Sequence, residues 1–246
     1  MTDYILTLDA GTTGVQSSLF DVNHFEMKGN IKIPFEQIFP KPGFVEHNPN
    51  EIWQSFLQAI ESTCAEMKKI DPSFSKNNIV GIGITNQRET CLGWNLKSKE
   101  SPFNALVWQD KRTTDLCNRL KENKNLEKQI KEKTGLLCDP YFSATKMQWL
   151  LEHNDTLKKW SDKQELALGT IDSFLVWKLT DHTQFVTDHT NASRTLVYNL
   201  EQGQYDPELL DLFKIPKHTL AEIKESIDLL GHTKNCPQLP DDIPIC

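Results

Sequence analysis

The sequence predicts an α/β or α+β fold, a sheet covered by helices. Three observations carry that expectation. Short apolar runs open the chain, a long stretch with helical periodicity follows, and strand-like and helix-like segments then alternate. The 246 residues exceed the length at which domains usually divide, yet one large α/β domain can fill them. No Gly/Ser/Pro-rich linker and no solenoid-period repeat interrupts them, so residues 1–246 read as a single domain.

The opening reads as an antiparallel meander. "YILTL" (Tyr4–Leu8) is a short apolar run, "VQSSLFD" (Val15–Asp21) alternates partially, and "NIKIP" (Asn30–Pro34) follows a turn around Asn23–Asn30. The rhythm then changes. Asn48 is a helix N-cap, Pro49 suits the first helical position, and Glu51 lies three residues on. Ile52, Phe56, Ala59 and Ile60 recur at helical spacing, which predicts a helix over Pro49–Lys69. "IVGIGIT" (Ile79–Thr85) is β-branched and bounded like a buried strand. Beyond it, Ala105–Asp110 reads as a strand and Thr113–Glu122 as a helix. Ser143–His153, with its serine as N-cap, and Thr170–Thr180 read as helices too. The final "NCPQLPDDIPIC" stops on an apolar strand-like tetrapeptide, an expected cut near a domain's edge.

Composition narrows the function classes. Hydrophobic residues make up 38% and charged residues 25%, an ordinary globular balance. The formal net charge is −7 with no basic stripe, which speaks against nucleic acid as a partner. No apolar run approaches the roughly 20 residues that span a bilayer, so no membrane role is expected. "MTDYILTLDAG" lacks a signal peptide's basic start and cleavage site. Six scattered cysteines without a C-x-x-C pair suggest reduced thiols and a cytoplasmic setting.

Chemistry concentrates at strand exits. "LDAGTTG" (Leu8–Gly14) leaves the first strand through an acid, two glycines and two threonines. Asp9 at the strand's C-terminal end would point into the crevice at the edge of an open sheet, the usual ligand position. Gly11 and Gly14 let backbone N–H groups approach an anion, and Thr12 and Thr13 add hydroxyl donors. A carboxylate among phosphate donors requires a cation such as Mg²⁺ between them. The turn is neither a Walker A nor a Rossmann fingerprint, and a plain hairpin turn with solvated threonines explains it too. In "GITNQRET" (Gly83–Thr90) a strand runs into Arg88 and Glu89, either a surface ion pair or a clamp for a polyol's hydroxyls. Trp108 and Tyr141 lie beside polar turns, as core or rim residues or as planes for a polyol's carbon face. "TDHTNASRT" (Thr187–Thr195) is dense in hydrogen-bonding side chains, which turn capping explains equally well. The loop and helix histidines His24, His47, His153, His182 and His218 form no metal or general-base pairing.

Together, "LDAGTTG", "FEQIFPKPGFVEHNPNEIW", "GIGITNQRET", "NALVWQDKRT", "TGLLCDPYFSATK", "GTIDSFLVWKLT" and "TDHTNASRTLVYNL" resemble the FGGY carbohydrate kinase family along nearly the whole chain. "PGFVEHNP", "TNQRET", "DPYFS" and "TNASRT" resemble most specifically its glycerol-phosphorylating members. The resemblance implies a ribonuclease-H-like mixed sheet flanked by helices, as in the actin, hexokinase and Hsp70 superfamily. It implies two domains, of which residues 1–246 are the N-terminal one, and a homo-oligomer at full length. ATP and Mg²⁺ are the implied cofactors and glycerol the implied substrate. Thr12, Thr13, Gly14 and Gln16 would bind nucleotide, and Asp9 would sit near the metal. Arg88, Glu89 and Tyr141 would bind glycerol's hydroxyls, with Trp108 against its carbon face.

Two departures stand out. The family commonly carries a basic residue where this chain has Gln16, whose neutral amide can donate a hydrogen bond but supplies no positive charge for the polyphosphate. The family's catalytic base is an aspartate in a Gly-Asp-Gln segment that follows an "IPI" strand, and this chain ends at Cys246 before one. No catalytic residue is therefore assigned, and the isolated chain is expected to be inactive. "KNCPQLPDD" does not match the loop some bacterial members use for allosteric sugar bisphosphate binding. A kinase for another polyol or sugar and a non-catalytic remnant are the alternatives.

Overall fold

The computed structural model describes residues 2–246. Three strands open it, β1 (Tyr4–Ala10), β2 (Gly14–Asp21) and β3 (Met27–Pro34). Next come the short β4 (Glu46–His47), helix α1 (Pro49–Ile70), β5 (Ile79–Asn86), β6 (Cys91–Asn95) and β7 (Ala105–Leu106). Helices α2 (Thr114–Glu122), α3 (Lys124–Thr134), α4 (Ser143–His153) and α5 (Asp155–Asp162) precede β8 (Leu166–Thr170) and α6 (Ile171–Leu179). Short elements close the chain: β9 (Val186–Asp188), α7 (His189–Ala192), β10 (Tyr198–Asn199), β11 (Gln204–Tyr205), α8 (Pro207–Leu212), β12 (Glu222–Lys224), β13 (Gly231–His232) and β14 (Pro244–Ile245).

The main sheet is six-stranded and mixed, in the order β13-β14-β5-β1-β2-β3. The predicted meander forms its antiparallel edge, while β5 runs parallel to β1. Alternation along β1 gives the sheet two unlike faces. Leu6, Leu8 and Ala10, with Val15 and Leu19 of β2, are buried on one face. Helix α1 covers it with Ile52, Phe56, Ala59, Ile60 and Met67. Each of these larger side chains contributes roughly 1.5–3 kcal/mol by full burial. The helix starts where the sequence predicts, with the Asn48 side chain accepting from Asn50 N at 2.9 Å and Pro49 in the first turn.

A second sheet, in the order β4-β7-β6-β8, stands beside the first. Its β6–β8 pair is antiparallel and entirely buried. Trp94 fills the space between the sheets, edge-on to Phe174 at 5.4 Å and tilted against Trp177 at 5.8 Å. Gly169 makes that close approach possible, since a Cβ there would meet Ser173 Oγ at 2.3 Å and the Trp94 ring at 2.7 Å. On the other side, Met147, Leu150 and Leu157 of α4 and α5 pack with Leu166 and Leu168.

The structure departs from the sequence expectations at several points. The turn expected around Asn23–Asn30 is shorter, because β3 already begins at Met27, and α3 and α5 are not among the expected elements. Ala105–Asp110 is a strand only over Ala105–Leu106. Beyond it Asp110 N bonds Val107 O at 2.9 Å, and the Asp110 carboxylate turns back to Val45 N at 2.7 Å. Ser143 is the first helical residue of α4, not its cap; its hydroxyl donates to Glu89 O at 3.0 Å. The segment read as a helix from Thr170 contains the end of β8, and α6 begins one residue later.

Candidate active site

The hairpin between β1 and β2 is the first component. Asp9 pairs with Gln16 and Ala10 with Val15, which leaves Gly11–Thr13 as the turn. Gly14 is required by close approach: a Cβ there would lie 2.5 Å from Ile33 O. Gly11 is under no such constraint, its nearest neighbour being 3.5 Å away. Asp9 and Thr13 are exposed, and Thr12 and Gln16 are half-buried. Among the described residues no side chain or backbone group bonds the Asp9 carboxylate, so its oxygens face solvent.

Register extends this site across the sheet. Asp9 pairs with Thr85 of β5 on one side and Gln16 on the other, and Gln16 pairs with Lys32 of β3. Directly paired residues project to the same face. Thr85, Asp9, Gln16 and Lys32 thus form one polar row on the face opposite α1. A second row, Gly83, Thr7, Ser18 and Asn30, lies behind it. The β5, β1 and β2 members of these rows floor a cavity of about 500 Å³ whose walls include Arg88, Asp172, Asp188 and Asn191, while Lys32 and Asn30 continue the same face beyond its rim.

Beside the hairpin stands the second component. The two charges of "QRE" diverge rather than pair: Arg88 is exposed at the cavity, whereas Glu89 is buried. Glu89 instead accepts from Arg194 Nε at 2.7 Å. The Arg194 guanidinium lies over the Phe142 ring at 4.9 Å. Tyr141 stands between that group and Trp108, with ring centroids 5.3 Å apart in the second pair. Arg194 is a residue of this candidate site that sequence reasoning missed. "TNASRT" suggested turn capping, and only the tertiary contact shows its arginine against Glu89. Asn86 Nδ2 to Asn191 Oδ1, at 3.0 Å, joins the same two segments a second time.

The components are bolted together by buried and half-buried polar groups. Trp108 Nε1 donates to Thr12 Oγ1 at 2.9 Å. Gln37 Nε2 donates to Thr12 O at 2.8 Å, and its Oε1 bonds His47 Nε2 at 2.8 Å. His47 Nδ1 lies 3.2 Å from Gln87 Nε2, which also reaches Gly11 O at 3.3 Å. Thr90 Oγ1 donates to Gln87 Oε1 at 2.8 Å and accepts from Trp108 N at 3.2 Å. These roles are mutually consistent for a neutral imidazole protonated on Nε2. Burial drives the His47 pKa down to about 4, so the ring is uncharged at neutral pH.

Lys146 performs a similar duty beneath Tyr141. Its fully buried ammonium donates to the carbonyls of Pro140, Tyr141 and Phe142 at 2.8, 2.7 and 2.8 Å. Desolvation lowers its pKa to about 8. Asp172, in the cavity wall, is pushed up to about 6 by burial. One of its oxygens accepts from Thr187 Oγ1 at 2.6 Å, and the other has no partner among the described residues.

The mixed sheet, its helical cover and the hairpin at its polar edge define a domain of the actin- and hexokinase-like sugar kinase fold. The chain belongs to the FGGY family of carbohydrate kinases, matching its N-terminal domain over residues 4–238. A glycerol kinase of Staphylococcus epidermidis is 44% identical over 245 residues, 100% of this chain and 48% of that protein. A glycerol kinase of Halothermothrix orenii is 45% identical over 98% of this chain and 47% of its own length. The crystal structure of Plasmodium falciparum glycerol kinase with ADP superposes with a TM-score of 0.91 at 31% identity, covering 99% of this chain and 47% of that one. The chain spans about half the length of the curated relatives it matches, 48% and 47%.

Proposed function

We propose that this chain is the phosphate- and substrate-binding half of a glycerol kinase, a cytoplasmic enzyme that moves the γ-phosphoryl group of ATP to a terminal hydroxyl of glycerol. One observation carries the reading: the 2.9 Å bond from Trp108 to Thr12 fixes an aromatic and ion-pair cage directly against the hairpin. A small polyol in the cage would then lie within reach of a phosphate on the hairpin. The glycerol kinases among its relatives, each matched along nearly all of this chain, support the choice of substrate.

The residues divide the work. Glu89, held by Arg194, accepts from a glycerol hydroxyl, and Arg88 donates to another. Trp108 and Tyr141 cover the carbon chain and exclude water. Thr12, Thr13 and the backbone before Gly14 donate to phosphate oxygens, with Gln16 adding an amide. Asp9 fits a Mg²⁺ ion, being an exposed carboxylate with no partner among the described residues, at the mouth of that hairpin. Bound there, the ion would neutralise polyphosphate charge. Catalysis in this reading is positioning plus electrostatic stabilisation. The acceptor of the hydroxyl proton is assigned to a following domain.

The test is a substrate panel. This chain alone should bind glycerol weakly without appreciable turnover. Joined to its second domain, it should form glycerol 3-phosphate from ATP and glycerol far faster than it phosphorylates pentuloses or gluconate. In that enzyme, replacing Arg88 or Glu89 should raise the glycerol KM by orders of magnitude. Preference for a sugar, or KM values untouched by both substitutions, would remove glycerol from the cage.

A further inference from the structure

We infer that Lys32, on the third strand of the meander, supplies the fixed positive charge of the phosphate hairpin. The inference rests on the phosphate-binding reading of that hairpin and assigns it a residue outside the turn.

Three observations carry it. Lys32 Nζ lies 2.9 Å from Thr13 Oγ1, and among the described residues no other lysine or arginine bonds a side chain of the turn. Lys32 occupies the position opposite Gln16 in the β2–β3 register, so it belongs to the Thr85–Asp9–Gln16–Lys32 row. Its side chain is exposed and makes no salt bridge among the described residues, so its charge is uncommitted. The row therefore runs from a carboxylate, through a neutral amide, to an ammonium. A metal-bearing polyphosphate has the complementary polarity, its cation toward Asp9 and its free oxygens toward Lys32.

The Thr13 contact matters for geometry. An ammonium donating to a hydroxyl oxygen leaves the hydroxyl proton free to point at an anion. Lys32 and Thr13 can thus donate to the same phosphate oxygen or to two neighbouring ones, without rearrangement of the turn. Moving this charge one strand inward, to Gln16, would keep it on the same face and in the same row, which gives the test its second arm.

Calorimetric titration of Mg·ATP, and separately of inorganic tripolyphosphate with Mg²⁺, into wild-type chain and variants tests the assignment. Lys32→Gln should weaken both ligands by about tenfold, the effect of losing one charge-assisted hydrogen bond. It should also flatten the salt dependence, because an exposed charge is screened. Adding Gln16→Lys to Lys32→Gln should recover most of the loss. Unchanged affinity in Lys32→Gln overturns the role of Lys32 and leaves the hairpin's phosphate function standing. A loss that Gln16→Lys does not recover overturns the shared row. Failure of wild-type chain to bind either ligand overturns the hairpin reading itself, and this assignment with it.

Discussion

The two sides of the hairpin are built from similar polar residues but treat them oppositely. On the cavity side, Asp9, Gln16, Thr85 and Lys32 stand in a row with their hydrogen-bonding capacity largely unspent. On the inner side, Gln37, His47, Gln87 and Thr90 are bonded to one another, to the turn carbonyls and to Trp108. The contrast separates two tasks. Buried groups with complete partners fix geometry, since an unmet donor there would cost about 1–3 kcal/mol. Exposed groups without partners remain free for a ligand. Substitutions inside should therefore change stability, and substitutions in the row should change binding.

The largest effect is expected beneath Tyr141. Lys146→Met removes the donor shared by three backbone carbonyls while keeping most of the apolar stem. Relief of the buried charge offsets part of the loss, yet the stranded carbonyls leave a net destabilisation of about 3 kcal/mol. Urea unfolding measures it, and Tyr141 should become more mobile in the same variant. A change below about 0.5 kcal/mol, the scale of a surface substitution, would place Lys146 outside the fixing side of the comparison.

The next effect is one of pH. The folded state holds His47 near pKa 4, against an unfolded value of 6.5. Between those values the unfolded chain binds a proton that the folded chain refuses. Stability from His47 is thus complete above pH 6.5 and declines as pH falls toward 4, by about 3 kcal/mol in all. Asp172 acts with the opposite sign over an overlapping range. Its folded pKa is raised from 3.8 to about 6, so its contribution is present below pH 4 and lost as pH rises through 6. The wild-type profile alone would blur the two. His47→Gln keeps Asp172 and removes the imidazole, so its deficit at pH 7 should shrink as pH drops to 4. A deficit independent of pH would mean that the ring is not the sequestered neutral group of the inner network.

Much of this comparison was legible in the sequence, though unevenly. Local signals did well: Asn48-Pro49 set the start of α1, and the apolar runs Tyr4–Leu8 and Ile79–Thr85 marked the strands β1 and β5. The segments that form the site were also visible, because acids, glycines and threonines at strand exits conflict with a simple turn. Long-range pairing was not. Nothing adjacent to His47 marks it as buried; its partners Gln37 and Gln87 are 10 and 40 residues away. Arg194 lies 105 residues from Glu89. Lys32 gains its meaning only from strand register, which a turn of unknown length leaves open. The loss of Ala105–Asp110 as a strand has the same origin, since a carboxylate bond to Val45, 65 residues distant, bends the chain there.

The smallest expected change in stability is the one that tests the comparison most sharply. Asp9→Asn alters one exposed side chain that has no partner among the described residues, at a position where amide and carboxylate occupy nearly the same volume. The unfolding free energy should move by no more than about 0.5 kcal/mol. Its sign follows from surroundings: removing the charge also removes whatever repulsion Asp9 has toward Asp172 and Asp188 across the cavity, so a slight gain is the expected direction. Binding should respond very differently. Without the carboxylate, Mg²⁺ should no longer strengthen tripolyphosphate binding, while metal-free tripolyphosphate, spared the repulsion of an adjacent acid, should bind at least as tightly as to wild type. Calorimetry with and without Mg²⁺ reads both arms. Marked destabilisation would instead make Asp9 part of the fixing network, and the division between the two sides of the hairpin would fail at its central residue.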